Sequence, residues 1–181
     1  MQLHTLDRSV ANDEAFVKPL TEATGVWLSG GDQSRLARVY RGTMVERELR
    51  KLHARGGVIG GTSAGASAMS SLMIVSGNPV AEVGEGLGLF DYAVIDQHFQ
   101  NRNRLKRLQG VLEKHSGYLG LGIDEGTAVV VRGGKATVLG TANVRVCLPP
   151  RVRKMPGVQV FKSGDEIALD PLCRAVRRPR K

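Results

Sequence analysis

A Gly-Thr-Ser-Ala-Gly turn at residues 61–65 constrains the chain more than any other feature of its sequence. It stands between a short apolar run, Val58-Ile59-Gly60-Gly61, and a helix start at Ala64 to Met69. A sharp strand-to-helix turn of this kind, a nucleophile elbow, forces its central residue into strained geometry and admits only small neighbours. It lifts the Ser63 hydroxyl above a sheet and points the Ala64 N–H at a developing oxyanion, beside a helix N-terminus. Glycine- and serine-rich turns after strands also bind phosphate or simply reverse the chain, so the motif alone fits a nucleophile or a plain turn. No Gly-Lys-Ser/Thr follows, which argues against a P-loop.

The surrounding pattern sets the fold expectation. Residues 12–20 read as a short helix capped by Asn12 or Asp13, and Gly25-Val-Trp-Leu-Ser29 as a buried strand ending at Gly30-Gly31. Residues 34–55 carry a helical stripe that Gly42 divides. Residues 76–88 read as irregular, Tyr92 to Ile95 as a strand, and Asn103 to His115 as a helix with Leu105, Leu108, Val111 and Leu112 on its apolar face. Tyr118 to Ile123 reads as a strand. Ala128 to Leu139 reads as a hairpin turning at Gly133-Gly134, with further short strands at Gly157 to Phe161 and at Ile167. Strands alternating with helices predict an α/β domain, with a mainly parallel sheet flanked by helices and C-terminal antiparallel strands at one edge.

Catalytic groups in parallel sheets sit at the carboxyl ends of strands. A serine is a weak nucleophile without a base. Of the four histidines, His98 directly follows the strand that ends at Ile95-Asp96-Gln97. Asp124 and Glu125 follow another strand, and either suits the acid that orients His98; a plain turn acid is the alternative. In the loop Gly30-Gly31-Asp32-Gln33, Gly31 or Asp32 is placed to give a second oxyanion donor and Gln33 to line a pocket. The alternative is a turn with Asp32 as a helix cap. Arg102, Arg104 and Arg107 follow His98. Their ordinary reading is a solvated helix face, and their functional one is a grip on a substrate carboxylate.

Composition bounds the partners. The 181 residues, 41% hydrophobic and 24% charged, suit one domain over 1–181 with a real core. Aromatic residues are only 4%, which argues against a nucleic-acid binder built on base stacking, despite a net charge of +9. Part of that charge falls in 172–181, read as a solvated basic tail, with attraction to a polyanion or acidic substrate as the sharper reading. Cys147 and Cys173 make neither a disulfide framework nor a metal motif, and they suit a reducing, cytoplasmic setting. No apolar run approaches the roughly 18 residues of a membrane span, and the N-terminus lacks a signal-peptide core.

Gly60-Gly-Thr-Ser-Ala-Gly-Ala66, Gly30-Gly-Asp-Gln33, Asp96-Gln-His-Phe99 and Gly122-Ile-Asp-Glu125, in that order, resemble the cyanophycinase group of serine peptidases, whose clan includes the α-aspartyl dipeptidases. The resemblance runs from about Val26 to about Val146. It implies a class I glutamine amidotransferase-like fold with Ser63 as nucleophile, His98 as general base and acid, and Glu125 as the orienting carboxylate. It also implies pocket roles for Gln33, Asp96, Gln97, Arg104 and Arg107. The implied reaction is release of β-aspartyl-arginine dipeptides from cyanophycin, without metal or organic cofactor, by a homodimer. A dipeptidase or isopeptidase acting on other aspartyl peptides, and an inactive peptide-binding relative, are the alternatives. Members of the family begin with a further βαβα segment ahead of the part matching Met1. A chain without it is expected to expose apolar surface or to oligomerise.

Overall fold

The computed structural model describes residues 1–152 and 157–177. The chain, read from its sequence as one domain, divides into two compact units. The first comprises Met1–Met73 and Gly84–Asp91, and the second the remainder.

The first unit is built from α1 (Glu14–Glu22), β1 (Gly25–Leu28), α2 (Gln33–Tyr40), α3 (Met44–Ala54), β2 (Val58–Gly61) and α4 (Ala64–Ala68). Asp13 is the cap of α1, its carboxylate accepting from the Phe16 N–H at 2.8 Å. The helical stripe over 34–55 does break at Gly42, which takes φ of 71°. Glu46 accepts the Gly42 N–H at 2.6 Å and fixes that turn. Strands β1 and β2 pair in parallel, Gly25 opposite Val58 through Leu28 opposite Gly61. One set of side chains, Val26, Leu28 and Ile59, packs against Val17, Leu20, Val39, Val45 and Leu49 of the helices. Trp27 and Val58 are instead 67% and 70% exposed. Gly60 makes room for the Trp27 ring.

Strands β3 (Leu72–Ser76) and β4 (Glu82–Glu85) pair with each other. Residues 76–88, read as irregular, thus contain a strand that their glycines conceal.

The second unit contains β5 (Ala93–Gln97), α5 (Leu105–Lys114), β6 (Leu119–Ile123), β7 (Thr127–Arg132), β8 (Lys135–Gly140), β9 (Asn143–Cys147), β10 (Val158–Lys162), β11 (Glu166–Ala168) and α6 (Leu169–Arg177). One sheet has the order β10-β9-β6-β5 and another β11-β8-β7. Only β5 with β6 is parallel here; β6–β9, β9–β10, β8–β11 and β7–β8 are antiparallel. The parallel pairs are thus β1–β2 and β5–β6, and these antiparallel ones lie toward the C-terminus. A hairpin rather than a crossover helix separates β6 from β9, so β9 returns antiparallel. Gly120 and Gly122 lie on one face of β6, where a Cβ would come within 2.8 Å of Leu108 and 2.6 Å of Phe99. Their bareness lets α5 and Phe99 sit directly on the strand.

The stretch expected as a solvated tail over 172–181 is helical as far as Arg177. Residues 169–177 form α6 and bury Leu172, Cys173 and Val176, because these apolar residues recur at helical spacing; residues 178–181 lie outside the described residues. Both cysteines are buried and free, and burial pushes the Cys147 thiol up to about 12. No helix among the described residues is long and apolar enough to cross a membrane.

Candidate active site

Ser63 sits between β2 and α4 with φ of 49° and ψ of −117°. A non-glycine residue at positive φ is strained, and such strain collects at functional sites. Its neighbours are small because nothing larger fits. A Cβ on Gly61 would stand 2.7 Å from the Gly65 carbonyl carbon, and one on Gly65 would overlap the Leu28 carbonyl. The elbow read from residues 61–65 is thus present, with Ser63 half-buried and Ala64 buried at the first turn of α4.

The Gly30-Gly31 turn runs beside the elbow, since a Cβ on Gly30 would lie 3.4 Å from that of Ser63. Gly31 has φ of 128°, open only to glycine. Asp32 caps α2, accepting from the Ser34 and Arg35 N–H groups at 2.9 and 3.1 Å. Its carboxylate is therefore engaged in the cap, and any oxyanion role falls to backbone N–H groups. Gln33 is the first residue of α2 and half-buried.

The second unit brings together His98 and Glu125. His98, at φ of 51°, ends the run out of β5, and Glu125 follows β6. Parallel pairing of β5 with β6 puts both at the same sheet end. His98 Nδ1 lies 2.8 Å from Glu125 Oε1. An ionised carboxylate only accepts, so Nδ1 carries the proton in that pair. Of the two acids left open by sequence, Glu125 is the one that meets His98. Asp124 instead accepts from the Gln100 N–H at 3.0 Å and from Arg145 Nη1 at 3.1 Å on each oxygen.

Asp96, Arg104 and Arg107 form a buried cluster. Arg107 donates from Nε and Nη2 to Asp96 and from Nη1 to the Gly77 carbonyl. Arg104 donates through Nη1 to Asp96, to the Gln97 carbonyl and to Gln97 Oε1, at 3.2, 2.5 and 2.8 Å. Burial pushes the Asp96 carboxyl up from its ordinary value against the hydrogen bonds and charge of Arg107, and pulls the Arg104 guanidinium down. The three side chains expected at the pocket thus engage one another. A buried carboxylate must be paired, and Asp96 already takes both arginines. Arg102 is the exposed member of the three.

Two contributors had gone unread: Asn101, whose Nδ2 donates to Glu125 Oε2 at 3.1 Å, and Arg145 on β9. Neither belongs to a motif, and only tertiary pairing brings them to these acids. Among the described residues no cluster of three or more His, Cys, Asp or Glu is arranged to hold a metal.

The sequence pattern of peptidase family S51 matches residues 1–139. The cyanophycinase of Synechococcus elongatus is 38% identical over 152 residues, covering 79% of this chain and 47% of that protein. That of Nostoc sp. is 42% identical over 148 residues, covering 76% and 49%. The chain thus spans about half the length of the curated relatives it matches. The crystal structure of a peptidase from an acI-B1 Actinobacterium aligns with a TM-score of 0.74 at 26% identity, over 92% of this chain and 68% of that one. A putative peptidase E protein from Listeria monocytogenes EGD-e shares the fold at TM-score 0.52 and 16% identity, over 78% and 69%.

Proposed function

The chain belongs to peptidase family S51, and on that premise we propose that it is a serine hydrolase of aspartyl peptides, releasing β-aspartyl-arginine dipeptides from cyanophycin or a related polymer. The observation that carries the reading is the strained Ser63 elbow, together with a histidine–carboxylate pair at 2.8 Å. Similarity to cyanophycinases at 38–42% identity supports this substrate class. A glutamine amidotransferase-like architecture belongs to the same proposal.

In this reading Ser63 and His98 work on one substrate. With its Nδ1–H turned to Glu125, His98 takes the Ser63 Oγ proton on Nε2. The Oγ attacks a backbone carbonyl of the aspartate chain. The tetrahedral oxyanion is met by the Ala64 N–H and by N–H groups of the Gly31-Asp32 turn. Nε2–H then protonates the leaving amine as the C–N bond breaks, leaving an acyl ester on Ser63. Water, deprotonated by the same imidazole, hydrolyses that ester. Gln33 and Gln97 each contact substrate in this reading. Arg102, exposed on the loop after His98, meets substrate carboxylates, while Asp96, Arg104 and Arg107 brace that loop from beneath.

The test is incubation of the chain with purified cyanophycin and mass detection of β-aspartyl-arginine, with Ser63→Ala and His98→Ala beside it. Release by the unaltered chain, lost in both variants, is the expected result. Cleavage only of short aspartyl peptides assigns the chain to a dipeptidase instead. Absence of any Ser63-dependent turnover overturns the enzyme reading.

A further inference from the structure

We propose that Asn101 is a positioning residue, whose carboxamide holds Glu125 in the rotamer that fixes the His98 tautomer. The inference rests on the reading of His98 and Glu125 as base and orienting acid.

Glu125 is held by little else. Its side chain is 53% exposed and follows the last strand residue by two positions, at a turn completed by Gly126. A carboxylate so placed has ample rotamer freedom, and water competes for both its oxygens. One oxygen meets His98 Nδ1 and the other accepts from Asn101 Nδ2 at 3.1 Å. Both carboxylate oxygens are thereby engaged, which fixes the plane of the group. Because the carboxylate only accepts, the amide nitrogen of Asn101 is the atom that faces it.

Asn101 can do this because its own loop is tied down. The Phe99 N–H bonds the Ile123 carbonyl at 3.1 Å, and the Gln100 N–H bonds Asp124 Oδ1 at 3.0 Å. Arg145 in turn clamps Asp124. The Arg102 N–H reaches back to the His98 carbonyl at 3.1 Å, and the Arg104 N–H to the Phe99 carbonyl at 3.0 Å. Asn101 therefore sits on a segment anchored on both sides, and its amide is presented rather than recruited. A donor held in this way orients the group it bonds, and loss of such an orienting partner costs activity without removing the reacting groups.

Two variants test the proposal, Asn101→Ala and Asn101→Asp, the second keeping the shape while losing the donor. Nitrogen-15 NMR of the imidazole reports the His98 tautomer whether or not the chain turns over. The unaltered chain is expected to hold the Nδ1–H form, as Glu125→Gln does not, and both Asn101 variants are expected to lose that preference. In the dipeptide-release assay kcat is expected to fall about tenfold with KM unchanged, well short of the roughly 10⁴-fold that a wrong tautomer costs. A His98 tautomer untouched in both variants overturns the proposal. A tautomer shift in a chain that hydrolyses nothing overturns the proposed function and upholds the positioning role.

Discussion

His98 Nδ1 and Glu125 Oε1 stand 2.8 Å apart, with the imidazole 25% exposed and the carboxylate 53% exposed. A pair so open to water adds little to folding, since exposed ion pairs contribute about 0–1 kcal/mol. Under the proposed function its value is directional. Glu125→Gln is expected to lower kcat by roughly 10²–10⁴-fold through loss of the charge that steadies the imidazolium. Urea denaturation should stay within about 0.5 kcal/mol of the unaltered chain. A large stability loss with activity kept would reverse the assignment.

Gly65 faces the Leu28 carbonyl so closely that any side chain must overlap it. Gly65→Ala is therefore expected to shift α4 against β1 and to cost about 1–3 kcal/mol, the range of overpacked cores. Calorimetric unfolding measures the loss, and an unchanged transition would contradict the close approach.

Asp96 is buried against Arg104 and Arg107. Removing the carboxylate in Asp96→Ala leaves two guanidinium groups without their counter-charge. The expected loss is about 3–5 kcal/mol, read by chemical denaturation. A loss below about 1 kcal/mol would show that the cluster is wetter than its burial indicates.

Glu48 lies 5% exposed on α3, with Lys51 Nζ at 2.8 Å. The Lys51 hydrogen bond holds its carboxyl below the ordinary 4.5, against the opposing effect of burial. A carboxyl whose folded value is depressed contributes stability above its ordinary value and loses it as pH falls through the folded one. Glu48→Gln should therefore be less stable by about 0.5 kcal/mol near pH 7, with the gap closing as pH falls below the ordinary 4.5. Thermal melts across that range decide the matter, and a gap that widens on acidification contradicts the pairing.

Much of this was legible because local chemistry dictated it. The small residues at 61–65 allow one kind of turn, Gly42 breaks a helical stripe, and Asp13 is a capping residue at a helix start. What escaped depends on partners distant in sequence. Strand β9 lies antiparallel to β6 only because a hairpin intervenes, and Arg145 on it has no motif to announce that it clamps Asp124. Arg104 and Arg107 read by default as a solvated stripe because sequence shows charge without depth. The buried Asp96 that claims them lies eight and eleven residues away. Residues 172–177 read as tail because arginines outweigh the three apolar residues that bury α6.

The proposed function turns on Ser63 acting as a nucleophile that His98 activates. The most direct measurement is covalent labelling by a serine-reactive phosphonate probe, with the modified residue mapped by peptide mass spectrometry. A single adduct on Ser63 is expected, lost in Ser63→Ala and slowed at least tenfold in His98→Ala. Absence of an adduct on Ser63, or labelling indifferent to His98, would contradict it.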